Sequence, residues 1–182
     1  MKVITGIARG RLLETMPGDD VVRPTAEKVK EAMFSSIQFL IPGARVLDLF
    51  AGSGQLGIEA LSREASSAVF VDENRSCIEI VRRNLKHCGF ESNSRTVVSG
   101  AQRFLQHVSD PFDVIFVDPP YRHNTAAELL PLLSSAVVPG GVVICETERD
   151  CEMPERSGSL VLKKQYNYGK TSVWQYIAAS EE

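Results

Sequence analysis

Apolar residues along this chain follow two alternating rhythms. Short continuous apolar runs recur from residue 44 onward: "ARVLDLF", "AVFVD", "RTVV", "DVIFVD" and "VVPGGVVICE". Runs of this length, rich in Val, Ile and Phe, read as strands covered on both faces. Between them lie segments with helical spacing. These are "QLGIEALSR", residues 75–88 with Ile78, Val81 and Leu85 on one face, the short "AQRFLQHV", and residues 125–135. Repeated strand–helix units predict a largely parallel sheet with helices on both faces and a ligand site at the carboxyl ends of its strands. A Pro-Gly-Gly turn precedes the apolar part of the fifth strand. "SLVLKKQYNY" and "TSVWQYIA" then read as a closing pair of strands, which places one antiparallel strand in the sheet. The expectation is a Rossmann-like α/β fold with a mostly parallel, seven-stranded sheet and one antiparallel strand.

An N-terminal piece precedes this pattern. Residues 2–7 and 11–15 read as a small hairpin around "ARGR", followed by a polar loop, "PGDDVVRP". Thr25 is placed as the N-cap of a helix from Ala26 to Phe39, with Lys28 rather than an acid three residues on, so the capping box is incomplete. Val29, Met33, Phe34 and Ile37 make that helix's apolar face, and Pro42 and Gly43 end it. The expected organisation is an extension over residues 1–42 and one Rossmann-like unit over residues 43–182.

Composition narrows the class. The chain has 182 residues, 43% hydrophobic and 24% charged, enough for one α/β domain. No apolar run approaches the ~20 residues of a membrane helix. The opening "MKVITGIARGRLLE" lacks the apolar core of a secretory signal, so the expected location is the cytoplasm. Cys77, Cys88, Cys145 and Cys151 show no C-x-x-C spacing and read as reduced thiols. His87, His107 and His123 are scattered, so no metal site is expected. Net charge is −3, yet residues 1–12 carry Lys2, Arg9 and Arg11 without an acid, and residues 160–176 carry Lys163, Lys164 and Lys170 without one. Two basic ends on an acidic body could form a local phosphate-binding face.

The first strand runs into "DLFAGSGQLG", which places Gly52, Gly54 and Gly57 before a helix and satisfies G-x-G-x-x-G. Alone, that spacing suits a dinucleotide phosphate as well as an amino-acid carboxylate. No Gly-Lys-Ser/Thr follows, which sets aside a P-loop. Asp48 lies inside the strand, where a carboxylate could hold a ligand ammonium while the loop N–H groups receive a carboxylate. Those are the two charges of the methionine end of S-adenosylmethionine. Asp72, at the end of the second strand, can accept from ribose hydroxyls. Asp118, Pro119, Pro120 and Tyr121 end the fourth strand, at a point where neither proline can donate to a ladder.

"DLFAGSG" followed by "DPPY" at the end of the fourth strand resembles the amino-group methyltransferases with a [DNS]-P-P-[YFW] motif. With "ITGIARGRLL", "RPTAEKVKEAMF" and "YNYGKTSVWQY", nearly the whole chain resembles the RsmD-type family, which methylates N2 of one guanine in small-subunit (16S) ribosomal RNA. The resemblance implies an S-adenosylmethionine-dependent enzyme acting on ribosomal RNA or on an assembled 30S particle. Asp118 and the Pro119 carbonyl would then accept from the target amine, orient its lone pair and stabilise the charge developing on nitrogen. Tyr121 would stack on the flipped-out base. The resemblance also places Arg23, Pro24 and Thr25 in an N-terminal motif near the cofactor methionine and Ala101 and Gln102 at its adenine, and Arg23 and Pro120 are expected on the RNA side. Arg9, Arg11 and Lys170 are the expected phosphate contacts. An adenine-N6 or protein-glutamine methyltransferase shares the same strand-end chemistry and stays open as the alternative. An NAD(P)-dependent oxidoreductase would need a nicotinamide-side residue, such as a Tyr-x-x-x-Lys pair, that the chain does not offer. A non-catalytic RNA-binding module would not need Asp118 and Pro119 together.

Overall fold

The computed structural model describes residues 1–17, 24–120 and 124–180. Five helices and eight strands alternate as α1 (Pro24–Ser36), β1 (Arg45–Leu49), α2 (Gln55–Ser62), β2 (Ser67–Asp72), α3 (Arg75–Cys88), β3 (Ser94–Val98), α4 (Ala101–Leu105), β4 (Phe112–Val117), α5 (Thr125–Ala136), β5 (Val137–Glu148), β6 (Arg156–Ser157), β7 (Leu160–Tyr168) and β8 (Thr171–Ala178). One sheet takes all eight strands in the order β3-β2-β1-β4-β5-β8-β7-β6. The five strands of the repeated units are parallel. β8 inserts between β5 and β7 and runs against both, and β6 runs against β7 at the edge. The sheet therefore has one strand more than the pattern predicted and two that run against the rest. The two-residue β6 carries no alternation that a sequence could show.

Alternate residues of each strand feed two cores. Val46, Val114, Phe116, Val142, Ile144 and Val173 pack on the side of α1, α2 and α3. Leu47, Leu49, Ile115, Val117, Val143 and Trp174 pack on the side of α4 and α5. By this alternation Asp48 and Asp118 belong to the first face, among apolar neighbours on both sides. α3 is framed by its ends: Asn74 accepts from the Ser76 N–H at 2.9 Å, and Gly89 closes the helix at φ 77°, the left-handed residue a helix terminus favours.

The N-terminal segment differs in detail from its prediction. Its two arms pair over a short ladder about Lys2 and Leu12, with the Val3 N–H donating to Arg11 O at 3.0 Å and the Leu13 N–H to Met1 O at 2.8 Å. α1 begins at Pro24, so Thr25 sits inside the first turn rather than capping it. Proline's fixed φ and missing N–H suit that first helical position. The helix ends at Ser36, and the turns Ile37 N–H to Phe34 O and Leu40 N–H to Ile37 O replace its expected last stretch. Buried Glu59 of α2 fastens the segment to the sheet domain: its carboxylate accepts from the N–H groups of Ile4 (2.8 Å) and Thr5 (3.0 Å). It also pairs with Lys30 of α1 at 3.5 Å and Arg63 at 2.9 Å. Val3, Ala8 and Leu13 join the same core as Phe34 and Phe116.

Candidate active site

A cavity of about 620 Å³ opens at the carboxyl ends of β1, β2, β4 and β5, where an open parallel sheet binds its ligands. Its floor is the turn between β1 and α2. Phe50 leaves β1 at φ 68°, and Gly52 and Gly54 follow at φ 54° and 78°. A Cβ at Gly52 would meet nothing within 4 Å, so the left-handed turn, not crowding, requires that glycine. A bulky residue held left-handed, as Phe50 is, stores strain of the kind that clusters at functional sites. Gly57 serves packing instead. A Cβ there would stand 2.3 Å from Phe70 Cε1, so the absence of a side chain lets α2 lie close on β2.

Each acid of the loop has a protein partner. Asp48 Oδ2 accepts from the Gly57 N–H at 2.8 Å, giving the start of α2 a carboxylate from β1. Asp72 accepts from the Gly52 N–H at 3.0 Å and the Asn74 N–H at 2.8 Å. The Gly54 N–H donates to Ala51 O at 2.7 Å. Of the loop N–H groups expected to receive a ligand carboxylate, those of Gly52 and Gly54 are thus already engaged. Gln55 and Leu56, which open α2, line the cavity, and N–H groups of a helix's first turn have no partner within the helix. Asp48 and Asp72 still border the cavity beside their protein contacts.

The opposite wall is acidic as well. Asp118 follows β4, its N–H approaching Leu49 O at 3.5 Å, and Pro119 and Pro120 continue the wall. The pairing of Val117 with Cys145 sets Asp118 beside Glu146 on the neighbouring strand, ~4.8 Å away across the ladder, and both line the cavity. Burial raises the pKa of Asp48 to about 8, against the opposing Gly57 hydrogen bond and with smaller contributions from Asp118 and Asp72. Burial raises Asp118 too, and Glu146 is raised by burial and then by the charge of Asp118. Carboxyls gathered like this favour a positively charged occupant. Lys30 also borders the cavity, but its ammonium is held by Glu59 and by the Lys2 carbonyl at 2.9 Å.

The remaining expected residues divide. Ala101 and Gln102 open α4, next to the end of β2 through the Ser99 N–H to Asp72 O bond of 3.0 Å, but neither borders the cavity. Lys170 stands at the β7–β8 turn, at the same end of the sheet, where its carbonyl accepts from the Arg149 N–H at 2.9 Å. Arg9 and Arg11 do not flank the site. The Ile7 N–H donates to Ser62 O at the far end of α2, and Arg11 Nη1 donates to the His87 carbonyl near the end of α3. From Arg75, by the cavity, to His87 is about 18 Å at 1.5 Å per residue. The hairpin therefore points its arginines at the opposite end of the sheet, while residues 1, 15 and 16 at its base line the cavity. Tyr121 and Arg23 lie outside the described residues, and of Thr25 only its place in α1 is described.

Two residues escaped the sequence reading. Glu146 ends "VVICE" as Asp118 ends "DVIFVD", an acid closing an apolar strand, and that parallel was its available signal. Buried Asn84, on the apolar side of α3, donates to Ser53 O and Glu14 O, each at 2.9 Å. It ties the glycine loop to the base of the N-terminal hairpin, and an amide among Ile80, Val81 and Leu85 marked it.

The chain matches the family described as Conserved hypothetical protein 95 over residues 1–177. It is 39% identical over 181 residues to the Bacillus subtilis protein YlbH, provisionally named an rRNA methyltransferase, covering 97% of this chain and 98% of that one. It is 34% identical over 157 residues to the Haemophilus influenzae protein named ribosomal RNA small subunit methyltransferase D, covering 82% and 80%. A solved Escherichia coli structure, provisionally described as the methyltransferase yhhF, superposes with a TM-score of 0.86 at 32% identity, covering 100% of this chain and 99% of that one.

Proposed function

The chain belongs to the Conserved hypothetical protein 95 family, and from that membership we propose that it methylates the exocyclic N2 amine of a guanine in small-subunit (16S) ribosomal RNA, using S-adenosylmethionine. The observation that carries this reading is the shared cavity. The glycine turn with Asp48 and Asp72 forms one wall, and Asp118, Pro119 and Glu146 form the other.

The residues fit the cofactor on chemical grounds. The cavity volume is in the range of small-ligand sites, and burial raises the pKa of its Asp48 carboxyl, a penalty that a cationic ligand would offset. S-adenosylmethionine supplies a methyl group on a positively charged sulfur. Asp48 and the start of α2 would hold its ammonium and carboxylate, and Asp72 its ribose hydroxyls. Gly54 shapes the turn. Thr25 would complete the cofactor's surroundings, and Ala101 and Gln102, outside the cavity lining, would meet the cofactor only where it extends past the end of β2.

On the other wall, Asp118 and the Pro119 carbonyl accept from the amine N–H groups. They would direct the nitrogen lone pair at the methyl carbon and stabilise the charge that forms as the N–C bond is made and the methyl–sulfur bond breaks, leaving the neutral thioether S-adenosylhomocysteine. The displaced amine proton passes to a carboxylate, for which Asp118 and Glu146 both stand in place. Tyr121 stacks on the base and Pro120 lies along it, with Arg23 on the RNA side. Glu146 favours guanine over adenine. Guanine's Watson–Crick edge presents two adjacent donors, N1–H and the N2 amine, whereas adenine places a lone pair beside its N6 amine. Two neighbouring carboxyls match the first edge and repel the second when ionised.

The test uses labelled S-adenosylmethionine with ribosomal RNA and with small-subunit particles from a strain lacking the enzyme, followed by nucleoside analysis. N2-methylguanosine is the expected product, and the better substrate identifies whether free RNA or the assembled particle is used. Asp118→Ala should abolish transfer and leave cofactor binding intact. N6-methyladenosine as the product, or near-normal turnover by Asp118→Ala, would overturn the assignment.

A further inference from the structure

β7 carries an irregularity, three strands from the active-site strand β4. Leu162 pairs with Tyr176 of β8, but the next pairing is Lys164 with Gln175, so Lys163 is an extra residue in β7. A bulge of this kind re-aims every side chain beyond it. Before it, Leu162 faces the α4–α5 core. After it, Tyr166 pairs with Val173 and Tyr168 with Thr171, and both tyrosines pack on the opposite core, the face to which Asp118 belongs. Were Lys163 paired with Gln175 in unbroken register instead, both rings would turn to the α5 side.

Register carries the consequence across the sheet. Asp118 stands beside Glu146, Glu146 pairs with Val173, and Val173 pairs with Tyr166. Tyr166 thus lies in the same row and on the same face as Asp118, three strands away, ~14 Å at 4.8 Å per strand. Tyr166 and Tyr168 are half-buried and stack with ring centroids 6.4 Å apart and planes 25° apart. Exposed Lys164 shares their face one row below, and exposed Lys170 stands at the turn just above Tyr168.

We propose that Tyr166 and Tyr168 form a stacking platform for unpaired bases next to the target nucleotide, with Lys164 and Lys170 holding their phosphates. Near-parallel aromatic rings beside cations are the arrangement that binds single-stranded nucleic acid with little sequence preference. A platform ~14 Å from Asp118 is within reach of the next few nucleotides, which stack ~3.4 Å apart. It would hold the strand while the target base leaves the stack, and it rests on the reading of the substrate as RNA.

The experiment measures binding of the full-length protein to a short mixed-sequence single-stranded RNA and to a duplex of the same length, alongside methylation of ribosomal RNA. Tyr166→Leu with Tyr168→Leu keeps apolar packing and removes the rings. It should weaken single-strand binding roughly five- to hundredfold per stacked base lost, and abolish the preference for single strand over duplex. Cofactor affinity and thermal unfolding should be unchanged. Tyr166→Phe with Tyr168→Phe should bind as the unsubstituted protein does. Lys164→Gln and Lys170→Gln should each lower the salt slope of binding by about 1, while the leucine variant leaves that slope alone. Undiminished single-strand binding by the leucine variant overturns the platform while methylation by the unsubstituted protein upholds the substrate. An unsubstituted protein that neither binds nor methylates RNA overturns both.

Discussion

Asp48 is 1% exposed, accepts from the Gly57 N–H among the described residues, and is set among other carboxyls, so burial disfavours its charged form. Burial raises its pKa from 3.8 to about 8. Between those values the folded chain holds a proton that the unfolded chain has released. The resulting stability is fully present below pH 4 and is lost as pH rises through about 8. Asp48→Asn should flatten this dependence, removing a decline on the order of a few kcal/mol between pH 5 and 8, as followed by urea unfolding across pH. A cofactor ammonium should reverse the preference by favouring the carboxylate. Binding of S-adenosylhomocysteine near pH 7 should therefore release a proton, seen as a buffer-dependent calorimetric enthalpy, and Asp48→Asn should bind it more weakly without that release. The same enthalpy in buffers of different ionisation heat would refute the assignment of Asp48 to the ammonium.

At the scale of elements, the contact between α2 and β2 sets the position of the glycine turn. Gly57 does double service there, donating to Asp48 and leaving room for the Phe70 ring. Gly57→Ala pushes a methyl group into that ring and should destabilise by about 1–3 kcal/mol. Phe70→Leu alone should also destabilise, since it empties space in the core, yet in the Gly57→Ala background it should restore part of the loss. Midpoints of denaturant unfolding at constant m-value would measure both effects. Additive losses in the double variant would show that the two sites do not share that space.

Across the whole molecule, the basic ends that looked alike in the sequence occupy opposite ends of the sheet. Lys170 stands at the cavity's end of the sheet, three strands from Asp118, and Arg9 and Arg11 stand about a helix length away at the other end. As phosphate contacts, the arginines would grip RNA remote from the target base, as an extended substrate such as ribosomal RNA permits. Arg9→Glu with Arg11→Glu should reduce the salt slope of RNA binding by about 2 and depress methylation most at higher salt. Cofactor affinity should not change. An unaltered slope would mean that Arg11 serves only its His87 contact and that the hairpin tip is simply solvated. No helix among the described residues is long and apolar enough to cross a membrane, and none of their His, Cys, Asp and Glu side chains group as a metal site.

The sequence by itself determined the features that are local in the chain. Apolar runs and helical spacing located the parallel strands and their helices within a few residues, because one face or both of each element must be buried. The order of "DLFAGSG" and "DPPY" determined that both motifs meet at one edge, because parallel strands put all their carboxyl ends together. The tertiary structure decided what depends on partners distant in the sequence. The insertion of β8 between β5 and β7 is a choice of pairing that no strand encodes alone. Glu146 became part of the site only when register set it beside Asp118, and the tyrosines of "YNYGK" reached that face only through the bulge at Lys163. The hairpin looked like an arm for the active site because its charge was legible, whereas its direction depends on Ser62 and His87, residues more than fifty positions away. Charge and periodicity are properties of single residues and short windows, while facing and proximity are properties of pairs.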